Sequence, residues 1–252
     1  LIDELSKSGY GLMVRTFGGS QDEMRDRVLE FLDRRACGVI LQGIHPNLYD
    51  ELRVTLGEVV PLVMNGPTRP GVPSVGCNYD QAGQTVAEHL ISLGHRRLAA
   101  FVNALEVQAG VRAKVSGFYR TIREAGLPAP TEILVPAYSE TLNRADLGVL
   151  LAQELEQQCA DADAVFCAND EEAIALVCRL TDQGVRVPED LAVVGFDDIP
   201  EAQTLHIPIT TIRQPVEEYA RQAVRMLLAQ LDPDRPFTPE AIAINCELMV
   251  RS

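Results

Sequence analysis

Asp163-Ala-Val-Phe-Cys-Ala-Asn-Asp170 and Leu191-Ala-Val-Val-Gly-Phe-Asp-Asp198 are built alike: a short apolar run ends on an amide or carboxylate pair. Uninterrupted apolar runs of this length, bounded by polar residues, describe strands covered on both faces rather than strands with one wet side. Between them Glu171–Gln183 reads as a helix, so strand, helix and strand make one βαβ unit on a parallel sheet.

The same alternation extends in both directions. Upstream, Gly9–Thr16 reads as a strand, Asp22–Arg35 as a helix, Gly38–Leu41 as a strand, Asn47–Leu56 as a helix and Pro61–Met64 as a strand. Then come a helix over Gln81–Leu93 ended by Gly94, strand Leu98–Val102, helix Val111–Ala125, strand Glu132–Val135 and helix Asn143–Gln158. Downstream, a long amphipathic helix, Val216–Leu231, and a strand, Ala241–Val250, permit a late return of the chain to its first half. Twisted sheets limit their own width, so these strands fit two sheets of about four to six strands better than one very wide sheet. The expected fold class is α/β, with two doubly wound parallel-sheet lobes.

With 252 residues, 46% hydrophobic and 23% charged, the chain has roughly the length of 1.7 average domains and enough apolar material for a real core. Its apolar runs fall far short of the ~18 residues of a membrane helix, and no charged-then-apolar leader opens it, so no membrane association is expected. Lys and Arg number 22 against 36 Asp and Glu, a net charge of −14 whose field repels nucleic acid and anionic lipid. Six cysteines (Cys37, Cys77, Cys159, Cys167, Cys178, Cys246) never form Cys-x-x-Cys, and His45, His89, His95 and His206 never form His-x-x-x-His. That spacing, with most of the cysteines in apolar strand or helix patterns, predicts buried free thiols in a reducing, cytoplasmic compartment, and neither a metal nor a cofactor. The chain opens on Leu1 inside a helical phrase with a stop signal and no start signal, and reads as cut from something longer.

Catalytic motifs are missing: no Gly-x-Ser-x-Gly, no Gly-x-Gly-x-x-Gly after a strand, no Gly-x-x-x-x-Gly-Lys. With no nucleophile, base or metal set assembled, an enzyme is not expected. The polar pairs Asn169-Asp170 and Asp197-Asp198 lie at the carboxyl ends of buried strands, where open α/β sheets bind ligands. Each of the four side chains has two open readings, as a helix cap or as a ligand contact; capping is favoured for Asp170 and Asp198, ligand contact for Asn169 and Asp197.

Three longer phrases carry a resemblance. Asp163–Asp170, then Gly184-Val-Arg-Val-Pro-Glu-Asp-Leu-Ala-Val-Val-Gly-Phe-Asp-Asp-Ile-Pro200, then Ile209-Thr-Thr-Ile-Arg-Gln-Pro215 resemble the effector-binding core of the lactose-repressor/galactose-repressor (LacI/GalR) family of bacterial transcription regulators. Glu88–Leu98, Gly117-Phe118 and Glu247–Ser252 extend the resemblance over essentially the whole chain. It implies a periplasmic-binding-protein-like fold of two lobes joined by three crossovers, with a small effector bound between them. The lobes are expected over 1–103 with 214–240 and over 104–213 with 241–252. Family members carry a helix-turn-helix, a hinge helix, a first strand and its loop ahead of the phrase at which this chain opens. The N-lobe is therefore expected to lack its first strand and to expose the edges of its neighbours, and DNA is reached only through an N-terminal domain absent here.

Carried over position by position, the resemblance places Arg112 and Lys114 where basic side chains reach the effector, with Lys114 standing where the family commonly has Arg. Tyr138 matches an aromatic wall suited to the apolar face of a sugar or a planar base, and Asn169 and Asp197 match the amide and carboxylate of the pocket floor. Asn78 falls where the family usually reads Asp-Asn, and Glu106 and Gln108 replace small hydroxyl residues. The implied function is a sensor: a sugar-like effector alters the DNA affinity of a homodimer through lobe movement, an allosteric coupling. Helix Asn47–Leu56, with Leu48, Leu52 and Leu56, and segment Ile199–Ile207, with Leu205 and Ile207, are the surfaces expected at the dimer interface. The alternative is a solute-binding protein of a sugar transporter, which shares the architecture; the phrase Val187–Asp198 resembles the regulators more.

Overall fold

The computed structural model describes residues 1–16, 21–42, 46–56, 60–66, 68–103, 109–135, 142–234 and 236–251. The chain opens with α1 (Ile2–Lys7), α2 (Gln21–Asp33), β1 (Val39–Gln42), α3 (Pro46–Leu56), β2 (Leu62–Asn65) and β3 (Ser74–Cys77). It continues through α4 (Tyr79–Ser92), β4 (Leu98–Asn103), α5 (Ala109–Glu124), β5 (Thr131–Val135), α6 (Arg144–Cys159), β6 (Ala164–Phe166) and α7 (Asp170–Asp182). Last come β7 (Ala192–Asp197), α8 (Pro200–Thr204), β8 (Thr210–Arg213), α9 (Val216–Leu231), β9 (Ala241–Ile244) and β10 (Glu247–Met249). Two units result: Leu1–Cys77 with Pro215–Ile244, and Asn78–Gln214 with Asn245–Ser252.

In the first unit the sheet order is β1-β2-β3-β9, all parallel. Met24 and Val28 of α2, Leu52 of α3, and Leu41, Leu62 and Met64 of the strands share one core. Helix α9 covers the sheet so closely that a Cβ added to Gly38 would stand 2.9 Å from Leu227 Cδ1.

The expected strand Gly9–Thr16 does not form. Residues 10–16 have no ladder partner, and Tyr10, Leu12, Met13 and Val14 are 38%, 38%, 44% and 66% exposed. A groove of about 530 Å³, floored by Val39, Leu41 and Leu227, separates them from β1. The physical reason is a missing neighbour: a strand is stabilised by its ladder, and β1, the edge of the sheet, lies across the groove.

The second unit is a six-stranded sheet in the order β10-β8-β7-β6-β4-β5, parallel except for β10 against β8. Phe101, Phe118, Phe166 and Phe196 are fully buried in it. Three of its helices begin on amide caps, Asn78 Oδ1 accepting from Gln81 N–H for α4, Asn143 Oδ1 from Asp146 N–H for α6 and Asn169 Oδ1 from Glu172 N–H for α7. Gly94, at φ +95°, lets the chain turn directly after α4 into β4.

The boundaries differ from those read in the sequence. Helix α4 and β4 belong to the second unit rather than the first, because β4 hydrogen-bonds to both β5 and β6 and α4 packs along α5. The expected strand Ala241–Val250 is broken: β9 pairs with β3 in the first unit and β10 with β8 in the second. Of the apolar side chains expected at a dimer interface, Leu52 is buried, 1% exposed in its own core, and Ile199, Leu205 and Ile207 are partly buried against the core of the second unit. The side chains of Leu48 and Leu56 lie outside the described residues. Cys37, Cys159, Cys167 and Cys178 are free thiols, but only Cys167 is buried and Cys37 and Cys178 are exposed; Cys77 and Cys246, expected to be free, are disulfide-bonded. Among the described residues no helix is long and apolar enough to cross a membrane.

Candidate functional site at the strand ends of the second unit

Strand β4 has β5 on one side and β6 on the other, so the chain reverses direction across the sheet at β4 and β6. The carboxyl ends of strands at such a reversal form the crevice in which α/β sheets hold ligands. Lys114 of α5 reaches this place. Its position is set by two glycines: a Cβ on Gly83 would lie 1.9 Å from the Lys114 carbonyl oxygen, and one on Gly117 would lie 2.0 Å from that of Asp80. Only two glycines, one on each helix, allow α4 and α5 to approach this closely. Arg120 ties the same helices with a bidentate pair to Asp80 at 2.8 and 2.7 Å.

The Lys114 side chain is 7% exposed, and its ammonium donates to the Ala168 carbonyl at 2.8 Å, just beyond β6. It also lies 3.7 Å from the ring centre of Phe196 and 5.7 Å from that of Tyr79, and these two rings stack at 6.1 Å. One residue past Phe196, Asp197 adopts φ +113° and accepts a hydrogen bond from Gln214 Nε2. Burial raises the Asp197 pKa above its ordinary value, and the Lys114 charge and the Gln214 bond oppose that rise. The cluster therefore places a carboxylate, an ammonium and aromatic faces together at low exposure, a combination able to accept from hydroxyls and to donate to ring or carbonyl oxygens.

Beside it, the Asp198 carboxylate is 3% exposed and serves structure: Arg213 donates to it at 2.6 Å and Arg251 donates to its other oxygen. Burial pushes its pKa up, but the two guanidinium bonds outweigh that and hold it below the ordinary value.

The expected site residues separate into groups. Lys114, Asn169 and Asp197 are brought to the same strand ends: Lys114 bonds the carbonyl that precedes Asn169, and its charge acts on Asp197. Asn169 is itself the cap of α7, its Oδ1 accepting from Glu172 N–H at 2.8 Å, so the capping role expected of Asp170 falls one residue earlier. Asp198 caps nothing either, since α8 follows Ile199 without a side-chain cap. Asn78 spends both ends of its amide, Oδ1 on Gln81 N–H and Nδ2 on Asn245 Oδ1 at 2.9 Å. Arg112 is exposed and has no ion pair among the described residues, and two positions from Lys114 it points from a different side of α5. Tyr138, Glu106 and Gln108 lie outside the described residues. No group of three or more His, Cys, Asp or Glu able to hold a metal ion occurs among the described residues.

The family described as a periplasmic binding protein-like domain matches residues 87–252. HTH-type transcriptional regulator CelR of Thermobifida fusca is 34% identical over 255 residues, covering 98% of this chain and 72% of that protein. A LacI family transcriptional regulator from Silicibacter pomeroyi superimposes with a TM-score of 0.83 at 25% identity, over 99% of this chain and 90% of that one. The chain belongs to the LacI family. Another solved relative, a transcriptional regulator CelR in complex with cellobiose, has a TM-score of 0.80 at 28% identity, over 99% of this chain and 75% of that one.

In this LacI-family chain, Tyr79, Phe196 and Gln214 contribute to the cluster without having been singled out in the sequence. Phe196 and Gln214 each adjoin a quoted motif carboxylate or strand, but nothing local tells a core aromatic from one that carries an ammonium on its face.

Proposed function

We propose that this chain is the small-molecule-sensing part of a transcription regulator, and that Lys114, Asn169 and Asp197 hold a sugar-like effector at the strand ends of the second unit. The observation that carries the reading is the buried Lys114 ammonium next to the raised-pKa Asp197 at the β4/β6 reversal. Such a pair is costly for stability alone and suits a site that exchanges its internal partners for hydroxyl groups of a ligand. The cellobiose named with one relative makes a saccharide the first ligand class to try. Arg112 and Tyr138 are the further proposed contacts, and Asn78 serves the site indirectly by capping the start of α4, which carries Tyr79. The protein works in the cytoplasm as a homodimer without cofactor, and effector binding changes the DNA affinity of a helix-turn-helix outside this sequence. Helix α3 turns Leu52 inward, so the face it offers to a second copy carries Val54, which is 87% exposed.

Titration calorimetry with a saccharide panel headed by cellobiose tests the site. Asp197→Ala and Arg112→Ala are each expected to weaken binding by about 1–3 kcal/mol with the fold intact. Wild-type affinity in both variants contradicts the assignment. Light scattering at tens of micromolar tests the dimer, and a gel shift of this chain alone is expected to show no specific DNA binding.

A further inference from the structure

Asp170 is the first residue of α7 and is completely buried, yet it neither caps that helix nor pairs with a cation among the described residues. Its carboxylate points across the ends of β7 and β8 instead. Oδ1 accepts from the Thr211 hydroxyl at 2.6 Å and Oδ2 from the Ile199 backbone N–H at 2.9 Å. Room for it exists because position 195 is glycine: a Cβ there would stand 2.1 Å from Asp170 Oδ1. Gly195 and Thr211 are register partners on β7 and β8, so the carboxylate is seated over one rung of the ladder. Directly beyond that rung the chain makes two consecutive non-glycine positive-φ residues, Asp197 at +113° and Asp198 at +58°. Conformations of this kind persist only when their surroundings hold them.

We propose that Asp170 is the positioning residue of the site: lodged against Gly195 and Thr211, its carboxylate holds the Asp197–Ile199 turn so that the Asp197 side chain stands at the Lys114 cluster. Glycine at 195, the Thr211 hydroxyl and the Ile199 N–H then form a single socket for one carboxylate. The inference depends on the ligand reading above only where it assigns a purpose to Asp197; the socket and the turn are independent of it.

The charge state of Asp170 is measurable. Burial raises its pKa to about 6, opposed by the Thr211 and Ile199 bonds and assisted by the nearby Asp197 charge. The other groups that face it are the Asp198 backbone, which lowers its pKa, and the Cys167 thiol of the neighbouring strand end, itself pushed up by burial and thus uncharged.

Amide NMR of the whole chain gives the test. The Ile199 amide proton, donating to the ionising group, is expected to titrate with a midpoint near 6 in the wild type and not to titrate in Asp170→Asn. In Asp170→Asn and Gly195→Ala its hydrogen exchange should accelerate by about tenfold or more while amides within β6 and β7 stay within about threefold. Thr211→Val, which spares the Ile199 bond, keeps the titration. An Ile199 resonance that is flat in the wild type, or that titrates equally in Asp170→Asn, overturns the proposal. So does a uniform loss of protection over β6 and β7, which marks Asp170 as a general core residue. In a cellobiose titration Asp170→Asn should weaken binding about tenfold in the wild type and leave Asp197→Ala unchanged. A wild type that ignores cellobiose speaks against the ligand reading and leaves the NMR result standing.

Discussion

Ala192-Val-Val194 in the second unit and Leu12-Met-Val14 in the first are comparable short apolar runs, and they have opposite fates. The former is β7, hydrogen-bonded to β6 on one side and β8 on the other and nearly inaccessible. The latter is unpaired chain beside an apolar groove, with Met13 and Val14 exposed. An apolar run of this kind is therefore a requirement for neighbours rather than a conformation in its own right. The difference also has a functional side: Lys114, Asp197 and the stacked rings converge in the second unit, at the ends of strands held by neighbours on both sides.

The contrast is sharpest at two glycines. Gly117→Val forces a side chain against the Asp80 carbonyl, 2.0 Å from the added Cβ, and backbone cannot yield as a side chain can. Urea unfolding followed by circular dichroism should show a loss of about 3 kcal/mol or more. Next in size is a pH effect of Asp170, whose folded pKa of about 6 exceeds its ordinary 3.8. A raised pKa means that the fold favours the protonated form, so this stabilisation is complete below about pH 3.8 and is lost as the pH rises through about 6. The difference in unfolding free energy between wild type and Asp170→Asn should shift by roughly 2–3 kcal/mol over that window. A difference that does not vary with pH would remove the buried charge from the account.

Asp198→Asn comes third. It weakens the bonds from Arg213 and Arg251 to a carboxylate 3% exposed, and thermal unfolding should report about 1–2 kcal/mol. The smallest change belongs to the first unit: an added Cβ on Gly11 meets nothing within 4 Å. Gly11→Ala should therefore alter stability by less than about 0.5 kcal/mol. A cost comparable to that of Gly117→Val would mean that residues 10–16 are packed in solution and that the two units do not differ as described.

The legible parts of the fold were those in which local pattern and tertiary setting agree. Val216–Leu231 was bounded to the residue, and helices over Asn143–Gln158 and Glu171–Gln183 to within one, because amphipathic spacing and amide caps mark them. Strand β3 is not legible because Ser74-Val-Gly-Cys77 offers a single large apolar side chain, and β2, β9 and α9 pack against it. Strand β8 does carry a local signal, two adjacent β-branched threonines before Ile212. The lobe boundary was misplaced because α4 looks like any crossover helix until the approach at Gly83 and Gly117 ties it to α5. At the site, motif position located Lys114, Asn169 and Asp197. Which carboxylate is offered and which is consumed depends on partners such as Arg213, Arg251 and Gln214, which become visible only in three dimensions.

The central claim is that a small molecule is held at the strand ends of the second unit, and amide hydrogen exchange with and without a bound saccharide measures it most directly. Starting with cellobiose and extending to whatever saccharide calorimetry finds, protection is expected to rise in the first turns of α5 and α7 and over residues 196–199 and 214. Protection confined to the groove between residues 10–16 and β1, or to the face of α6 and α7 around Gln153 and Gln183, contradicts it.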